Sequence, residues 1–65
     1  MTDWPPDKIR SLRERRDQTQ TAFGLEIYAT TEGAAQRRVS DLERGVRTPK
    51  TAEVRTLERM KDGEV

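Results

Sequence analysis

The chain has 65 residues, of which 31% are hydrophobic and 38% are charged, and its formal net charge is +1. A chain of this length forms one domain at most, here taken as 1–65. It contains neither cysteine nor histidine, which excludes disulfides and Cys/His zinc sites, so dimerisation is the common remaining source of added stability. No apolar run approaches a signal-peptide core or a membrane span, so the sequence predicts a soluble, cytoplasmic protein with no membrane partner.

Basic side chains concentrate in two segments, 8–16 and 36–50, whereas the rest of the chain is net negative. Such segregation is typical of a surface that faces a polyanion, although two ordinary solvated helix faces would give the same pattern. Ten of the 13 basic residues are arginines, which favours bidentate contacts to phosphate or guanine.

Hydrophobic spacing predicts an all-α chain, because apolar residues recur at helical intervals and no alternating strand pattern occurs. The four predicted helices are about 6–16, 20–28, 34–44 and 51–61, between an N-terminal arm (1–6) and a tail (62–65). The predicted inward residues are Ile9, Leu12, Phe23, Ile27, Ala35, Val39, Leu42, Val46, Ala52, Val54, Leu57 and Met60, with Ala22 and Tyr28 as further candidates. We expect Trp4 of the arm to fold back over this core.

Polar residues and glycine mark the predicted helix ends. Thr19 is expected to cap the second helix, and Gly45 to follow the third helix as its C′ residue. A polar break, 29–33, separates these two helices. The candidates for the later N-termini are Thr30 or Thr31 as cap of the third helix, and Thr48 or Thr51 as cap of the fourth, with Pro49 in its first turn.

A helical wheel gives the third predicted helix an apolar stripe and a polar face. The polar face carries Arg37, Ser40, Asp41 and Arg44, and Gln36 and Arg38 flank the stripe. Arginine can bond guanine bidentately, glutamine can read adenine, and aspartate can accept a hydrogen bond from cytosine. We therefore interpret this face as one that contacts base edges or phosphates. For Asp41, pairing within the chain with Arg37 or Arg44 is the favoured alternative.

Arg13 and Glu43 are predicted to form a half-buried ion pair. Arg13 lies four residues after Ile9, at the edge of the apolar stripe of the first helix, and Glu43 lies at the edge of the third helix's stripe. Charges at a core boundary need partners. The alternative is two independent surface charges.

Several pieces of the sequence together resemble one known family. They are Ile9-x-x-Leu12-Arg13, Thr19-Gln20, Phe23-Gly24, Val39-Ser40-x-Leu42-Glu43-Arg44-Gly45 and Pro49, within residues 9–57. The pattern resembles the helix-turn-helix family of Cro proteins and phage repressors, which has the lambda-repressor-like fold. The resemblance implies a compact bundle of four helices, with a possible fifth as a stub, whose third helix (34–44) enters the major groove of DNA.

The resemblance also assigns two sets of DNA-contacting residues by position. The base-reading positions would be Gln36, Arg37, Ser40 and Asp41. The phosphate-contacting positions would be Gln20, Arg38, Arg44, Arg47 and Lys50. The Arg13–Glu43 pair likewise resembles an ion pair of this family.

The chain departs from the family pattern in length and in two residue types. The stretch from Thr19 to Gly45 is about five residues longer, and we expect the extra residues within 28–33. Candidate starts for the third helix are Thr31, Gly33 and Ala35; alternatively, the second helix could extend through Thr31, with a tight turn at 33–35. Arg16 and Gln18 stand where the family often has apolar residues.

The sequence thus predicts a small transcriptional regulator, a repressor or Cro-like protein of phage or plasmid type. It would bind a double-stranded DNA operator sequence-specifically, as a homodimer at least on DNA, and associate with the nucleoid when bound. The alternative is a protein-interaction module such as an antitoxin or anti-repressor, in which Trp4, Tyr28 or Met60 would form an apolar contact patch. No enzyme, metal, cofactor or small-molecule substrate is expected, because catalytic histidine, cysteine and a glycine-rich phosphate loop are missing.

Overall fold

Residues 4–63, which the computed structural model describes, form four α-helices and no strand. The helices are α1 (Pro6–Arg15), α2 (Gln20–Ile27), α3 (Glu32–Glu43) and α4 (Thr51–Asp62). The predicted all-α class is therefore confirmed. The first three residues of the predicted arm and the last two of the predicted tail lie outside the described residues. With at most 12 residues each, the described helices include none that could cross a membrane.

A tight turn joins α1 to α2. Asp17 has a φ angle of 55°. Its amide donates a hydrogen bond to the carbonyl of Glu14 at 3.0 Å, and the amide of Gln18 donates to the carbonyl of Arg13 at 3.2 Å. This is the Schellman arrangement, which ends α1 and redirects the chain. The hydroxyl of Thr19 then accepts a hydrogen bond from the amide of Ala22 at 3.1 Å, so the predicted cap of α2 is confirmed.

The connection between α2 and α3 is short, at residues 28–31. The hydroxyl of Thr31 accepts a hydrogen bond from the amide of Ala34 at 3.4 Å, so Thr31 rather than Thr30 caps the helix. Glu32 follows as the first helical residue, where its negative charge is favourable beside the exposed amides.

The predicted third helix, 34–44, therefore begins two residues too late and ends one residue too late. The threonine cap outweighs the low helix propensity of Gly33, which lies inside α3 instead of ending the break. The alternative in which α2 extends through Thr31 is wrong, because α2 ends at Ile27 and the next residue is extended.

A second Schellman turn ends α3. Gly45 has a φ angle of 76°, its amide bonds the carbonyl of Leu42 at 3.3 Å, and the amide of Val46 bonds the carbonyl of Asp41 at 3.0 Å. Gly45 is therefore the C′ residue, as predicted. Because α3 stops at Glu43 and the chain turns at Gly45, Val46 leaves the apolar stripe. Val46 is 70% exposed, so its prediction as a core residue is wrong.

Neither predicted threonine caps α4. The N-cap residue is Lys50, whose side chain makes no capping hydrogen bond. The carbonyl of Lys50 accepts the first helical hydrogen bond, from Val54 at 2.8 Å, so Thr51 is already inside the helix. Thr48 and Pro49 both precede the cap. The predictions of Thr48 or Thr51 as caps and of Pro49 in the first turn are therefore wrong.

The core combines side chains from the arm, the helices and the α2–α3 connection. Its members are Trp4, Ile9, Leu12, Phe23, Tyr28, Val39, Leu42 and Leu57, with Ile27, Val54 and Met60 packed against it. The prediction that Trp4 covers the core is confirmed: it is 4% exposed, and its indole N–H donates to Glu58 of α4. Ala22 and Ala52 are exposed, contrary to prediction.

The most extensive contact between helices is that of α2 with α3. A Cβ atom placed on Gly24 would lie 2.5 Å from the carbonyl oxygen of Ala35 and 2.9 Å from its Cβ. Ala35 is itself fully buried. The two backbones therefore touch at a pair of small residues, and this contact sets how α3 lies on α2.

Candidate nucleic-acid interface

The outer face of α3 carries the side chains predicted for base reading. Gln36 and Arg37 are exposed, while Ser40 and Asp41 are partly buried along the same face. On the opposite side, three buried apolar residues hold α3 on the core. Gln36 and Arg37 are therefore accessible to a ligand that approaches this face, and Ser40 and Asp41 are less accessible.

Asp41 is engaged within the chain. Its Oδ1 accepts a hydrogen bond from Nη2 of Arg44 at 2.7 Å, between residues three apart on the helix. The pairing proposed for Asp41 therefore occurs with Arg44 and not with Arg37. Among residues 4–63, Arg37 has no ion-pair partner. The pair partly neutralises the one carboxylate that would repel a phosphate on this face.

Side-chain hydrogen bonds link the start of α2 to the outer face of α3. Nε2 of Gln36 donates to Oε1 of Gln20 at 2.8 Å, and Nε2 of Gln20 donates to Oε1 of Glu43 at 3.3 Å. Gln20 is thus held between two residues of α3. These contacts restrict the rotamers of both glutamine side chains before any ligand binds.

The carboxylate of Glu43 also forms a two-point ion pair with Arg13 of α1. Nε and Nη2 of Arg13 donate to the two carboxylate oxygens at 2.7 and 3.1 Å, and the side chains are 16% and 6% exposed. Nη1 of Arg13 donates to the carbonyl of Gln18 at 3.0 Å. The hydrogen bond with Glu43 raises the pKa of Arg13, so this guanidinium stays charged. The pair ties α1, the following turn and α3 together.

A groove beside α3 gathers three of the predicted phosphate-contacting residues. Arg38, Arg47 and Lys50 line it, together with residues of the α2–α3 connection and the first turns of α4, around a volume of about 360 Å³. The guanidinium of Arg38 lies 5.1 Å from the centre of the Tyr28 ring, a cation–π contact that holds it in place. Since Arg38 belongs to α3, the groove adjoins the outer face of that helix.

Tyr28 has a polar contact in this groove that the sequence did not reveal. Its hydroxyl donates to Oε2 of Glu53 at 3.0 Å. Burial raises the pKa of Tyr28, and the hydrogen bond and negative charge of Glu53 raise it further. The residues are 25 positions apart and no spacing rule connects a residue after α2 with one in α4, so no sequence signal could have found this pair.

We expect the fold to lose stability as the pH rises above about 10, and Tyr28→Phe to reduce this loss. The unfolded state releases the tyrosine proton near its ordinary pKa of about 10, while the folded state retains it at higher pH, so ionisation favours unfolding. Denaturant unfolding of both proteins between about pH 8 and pH 11 measures the effect, and Lys ionisation contributes equally to both. Parallel stability curves for the two proteins would contradict the expectation.

Arg16 and Gln18, the two polar departures from the helix-turn-helix pattern, contact Glu26 of α2. Nη2 of Arg16 donates to both carboxylate oxygens of Glu26 at 3.1 and 3.2 Å, and the Gln18 amide donates to the same carboxylate. The hydrogen bond from Gln18, followed by that from Arg16, lowers the pKa of Glu26. A polar cluster therefore joins the α1–α2 turn to α2.

No known protein family, no characterised protein and no solved structure matches this chain. A functional assignment therefore depends on the residues and contacts of the chain itself. The relevant contacts are the outer face of α3, the glutamine pair that joins it to α2, and the cationic groove beside it.

Proposed function

We propose that this chain is a small transcriptional regulator of the repressor or Cro type, which binds double-stranded DNA sequence-specifically with α3 in the major groove. The observation that carries the proposal is the outer face of α3, where Gln36 and Arg37 are exposed on a helix held rigidly by the core. In the proposed lambda-repressor-like arrangement, α2 and α3 are the two helices of a helix-turn-helix unit.

Gln36 and Arg37 are the proposed principal base readers. Arg37 has the five donors of a guanidinium and no ion-pair partner among residues 4–63, so it can bond O6 and N7 of guanine. Gln36 uses one amide hydrogen on Gln20 and keeps its carbonyl oxygen and second hydrogen for adenine. Ser40 and Asp41 would contribute less, because both are partly buried and Asp41 is already paired.

The groove beside α3 is the proposed phosphate-binding surface. It holds three cations against one carboxylate, and that carboxylate is already hydrogen-bonded to Tyr28. Gln20 and Arg44 would contact phosphates from the two sides of α3. Phosphate contacts of this kind supply most of the affinity and make it fall steeply with salt. A homodimer would read two half-sites about 34 Å apart along the duplex.

The alternative function as a protein-interaction module has less support. The apolar patch predicted for it from Trp4, Tyr28 or Met60 offers little exposed surface, since Trp4 and Tyr28 are 4% and 8% exposed and Met60 is partly buried against the core. These residues are needed for folding, because a chain with so few apolar residues cannot leave its large aromatic side chains outside.

Selection from random double-stranded DNA should enrich one motif, and two variants should then behave differently on it. Arg37→Ala should lose about 1–3 kcal/mol on the selected sequence and relax the preference at one base pair. Lys50→Ala should weaken binding to all sequences similarly and reduce the slope of log affinity against log salt by about 0.9. Affinities measured by fluorescence anisotropy at several salt concentrations give both quantities.

Arg55→Ala is the matched control, because Arg55 is an exposed cation on α4 that lies outside the proposed surface. It should change affinity and salt slope less than Lys50→Ala does. Failure to enrich any motif, or affinity independent of salt, would contradict the proposal. A protein that co-purifies stably with the chain would instead support the interaction module.

A further inference from the structure

Gly33 is a glycine that the fold does not require. Gly45 adopts a positive φ angle, and Gly24 leaves room for the backbone of α3. Gly33 does neither: its φ is not positive, and a Cβ placed on it would meet no atom within 4 Å. It is the second residue of α3, where the flexibility of glycine makes it less favourable than alanine. The fold of residues 4–63 therefore does not explain why this position holds a glycine.

Gly33 lies on the same side of α3 as the proposed base readers. Gln36 and Arg37 are three and four residues further along, and Ser40 is seven, which is the spacing of one helical face. Gly33 is exposed, as are Gln36 and Arg37. The outer face of α3 therefore begins in the first turn of the helix, and at Gly33 this face carries no side chain.

The dimensions of a helix and of the major groove indicate why a missing side chain at Gly33 would matter in the proposed complex. An α-helix with its side chains is about 10–12 Å across, and the major groove of B-DNA is about 12 Å wide, so a helix that enters it has little clearance. At a glycine the helix narrows toward its Cα cylinder, whose radius is about 2.3 Å. Glycine is the residue that lets a backbone approach a ligand closely.

We propose that Gly33 is a DNA contact point, at which the backbone of α3 lies against the wall or floor of the major groove. Its missing side chain sets the depth that Gln36 and Arg37 reach. This inference rests on the proposed function and adds to it a residue that controls docking.

The test compares Gly33→Leu and Gly33→Ala with Ser11→Leu, measured on the DNA sequence selected by the unaltered protein. Ser11 is exposed on α1, so its substitution adds the same apolar side chain to a different helix. We expect Gly33→Leu to lower the affinity at least tenfold, Gly33→Ala to lower it less, and Ser11→Leu to change it less than twofold. The thermal unfolding midpoints of both Gly33 variants should equal or exceed that of the unaltered protein, because leucine and alanine favour helix more than glycine does.

A loss of tenfold or more for Gly33→Leu with an unchanged or higher unfolding midpoint supports the inference, and a smaller loss overturns it. A lower midpoint also overturns it, because Gly33 would then have a role in the fold. The proposed function fails separately, when the unaltered protein selects no DNA motif. If the unaltered protein selects a motif and Gly33→Leu binds it equally well, only the docking role of Gly33 is lost.

Discussion

Gly24→Ala should destabilise the fold by about 2 kcal/mol or more, even though alanine favours helix over glycine by about 1 kcal/mol. The added Cβ would lie 2.5 Å from the carbonyl oxygen of Ala35, and backbone on both sides leaves no flexible side chain to move. The two helices must separate, which disturbs the packing of Phe23 and Val39 beside them. A 65-residue domain has a total stability of only about 3–10 kcal/mol, so this is a large fraction of it.

Gly33→Ala is the matched control for this substitution, because it adds the same methyl group to a helical glycine with open space around it. It should leave stability unchanged or increase it by up to about 1 kcal/mol. Urea unfolding followed by the fluorescence of Trp4, the only tryptophan, measures both variants. Equal stabilities for the two alanine variants would show that the close approach of α2 and α3 does not constrain the fold.

Glu43→Ala should destabilise the fold by about 3 kcal/mol, the lower end of the cost of breaking a buried ion pair, because Arg13 and Glu43 are only partly buried. The substitution leaves Arg13, whose side chain is 16% exposed, without either of its carboxylate hydrogen bonds. It also removes the acceptor for Gln20. Arg13→Ala should cost a similar amount, because Glu43 is 6% exposed and would keep an uncompensated charge.

A double-mutant cycle separates this pair from two independent charges. The sum of the losses in unfolding free energy of the two single variants should exceed the loss of the double variant. The difference, which is the coupling energy, should be about 1–3 kcal/mol. The control is the pair of Arg10 and Glu14 on α1, where the side chains are 62% exposed and 3.8 Å apart. Its coupling should be at most about 0.5 kcal/mol. Strictly additive losses for Arg13 and Glu43 would mean that the ion pair contributes nothing of its own.

Much of the fold was predictable because local rules decide it. Ile9 and Leu12 occupy helical spacing, Thr19 has a hydroxyl that caps a helix, and Gly45 tolerates the positive φ angle that ends one. The errors occurred where two local signals compete. The threonine cap and Glu32 extend α3 across Gly33, and Lys50 starts α4 although two threonines lie nearby.

For the candidate site, the sequence predicted which side chains share one face of α3 better than it predicted their contacts. A helical wheel is sufficient to put Gln36 and Arg37 on an outer face, since their directions follow from the helix alone. The wheel also indicated that Arg13 and Glu43 lie at apolar edges. It could not select Arg44 over Arg37 as the partner of Asp41, because both spacings bring side chains within reach.

The sequence by itself determined the helices, most of their buried residues and the polar composition of α3, because propensity, capping and periodicity act within a few residues of chain. Only the tertiary structure decided which distant residues meet: Gly24 with Ala35, Gln20 with Gln36 and Glu43, and Tyr28 with Arg38 and Glu53. These contacts depend on how α2, α3 and α4 lie against one another. That arrangement follows from the packing of the whole core. No single segment of the sequence specifies it, because the core draws side chains from every helix.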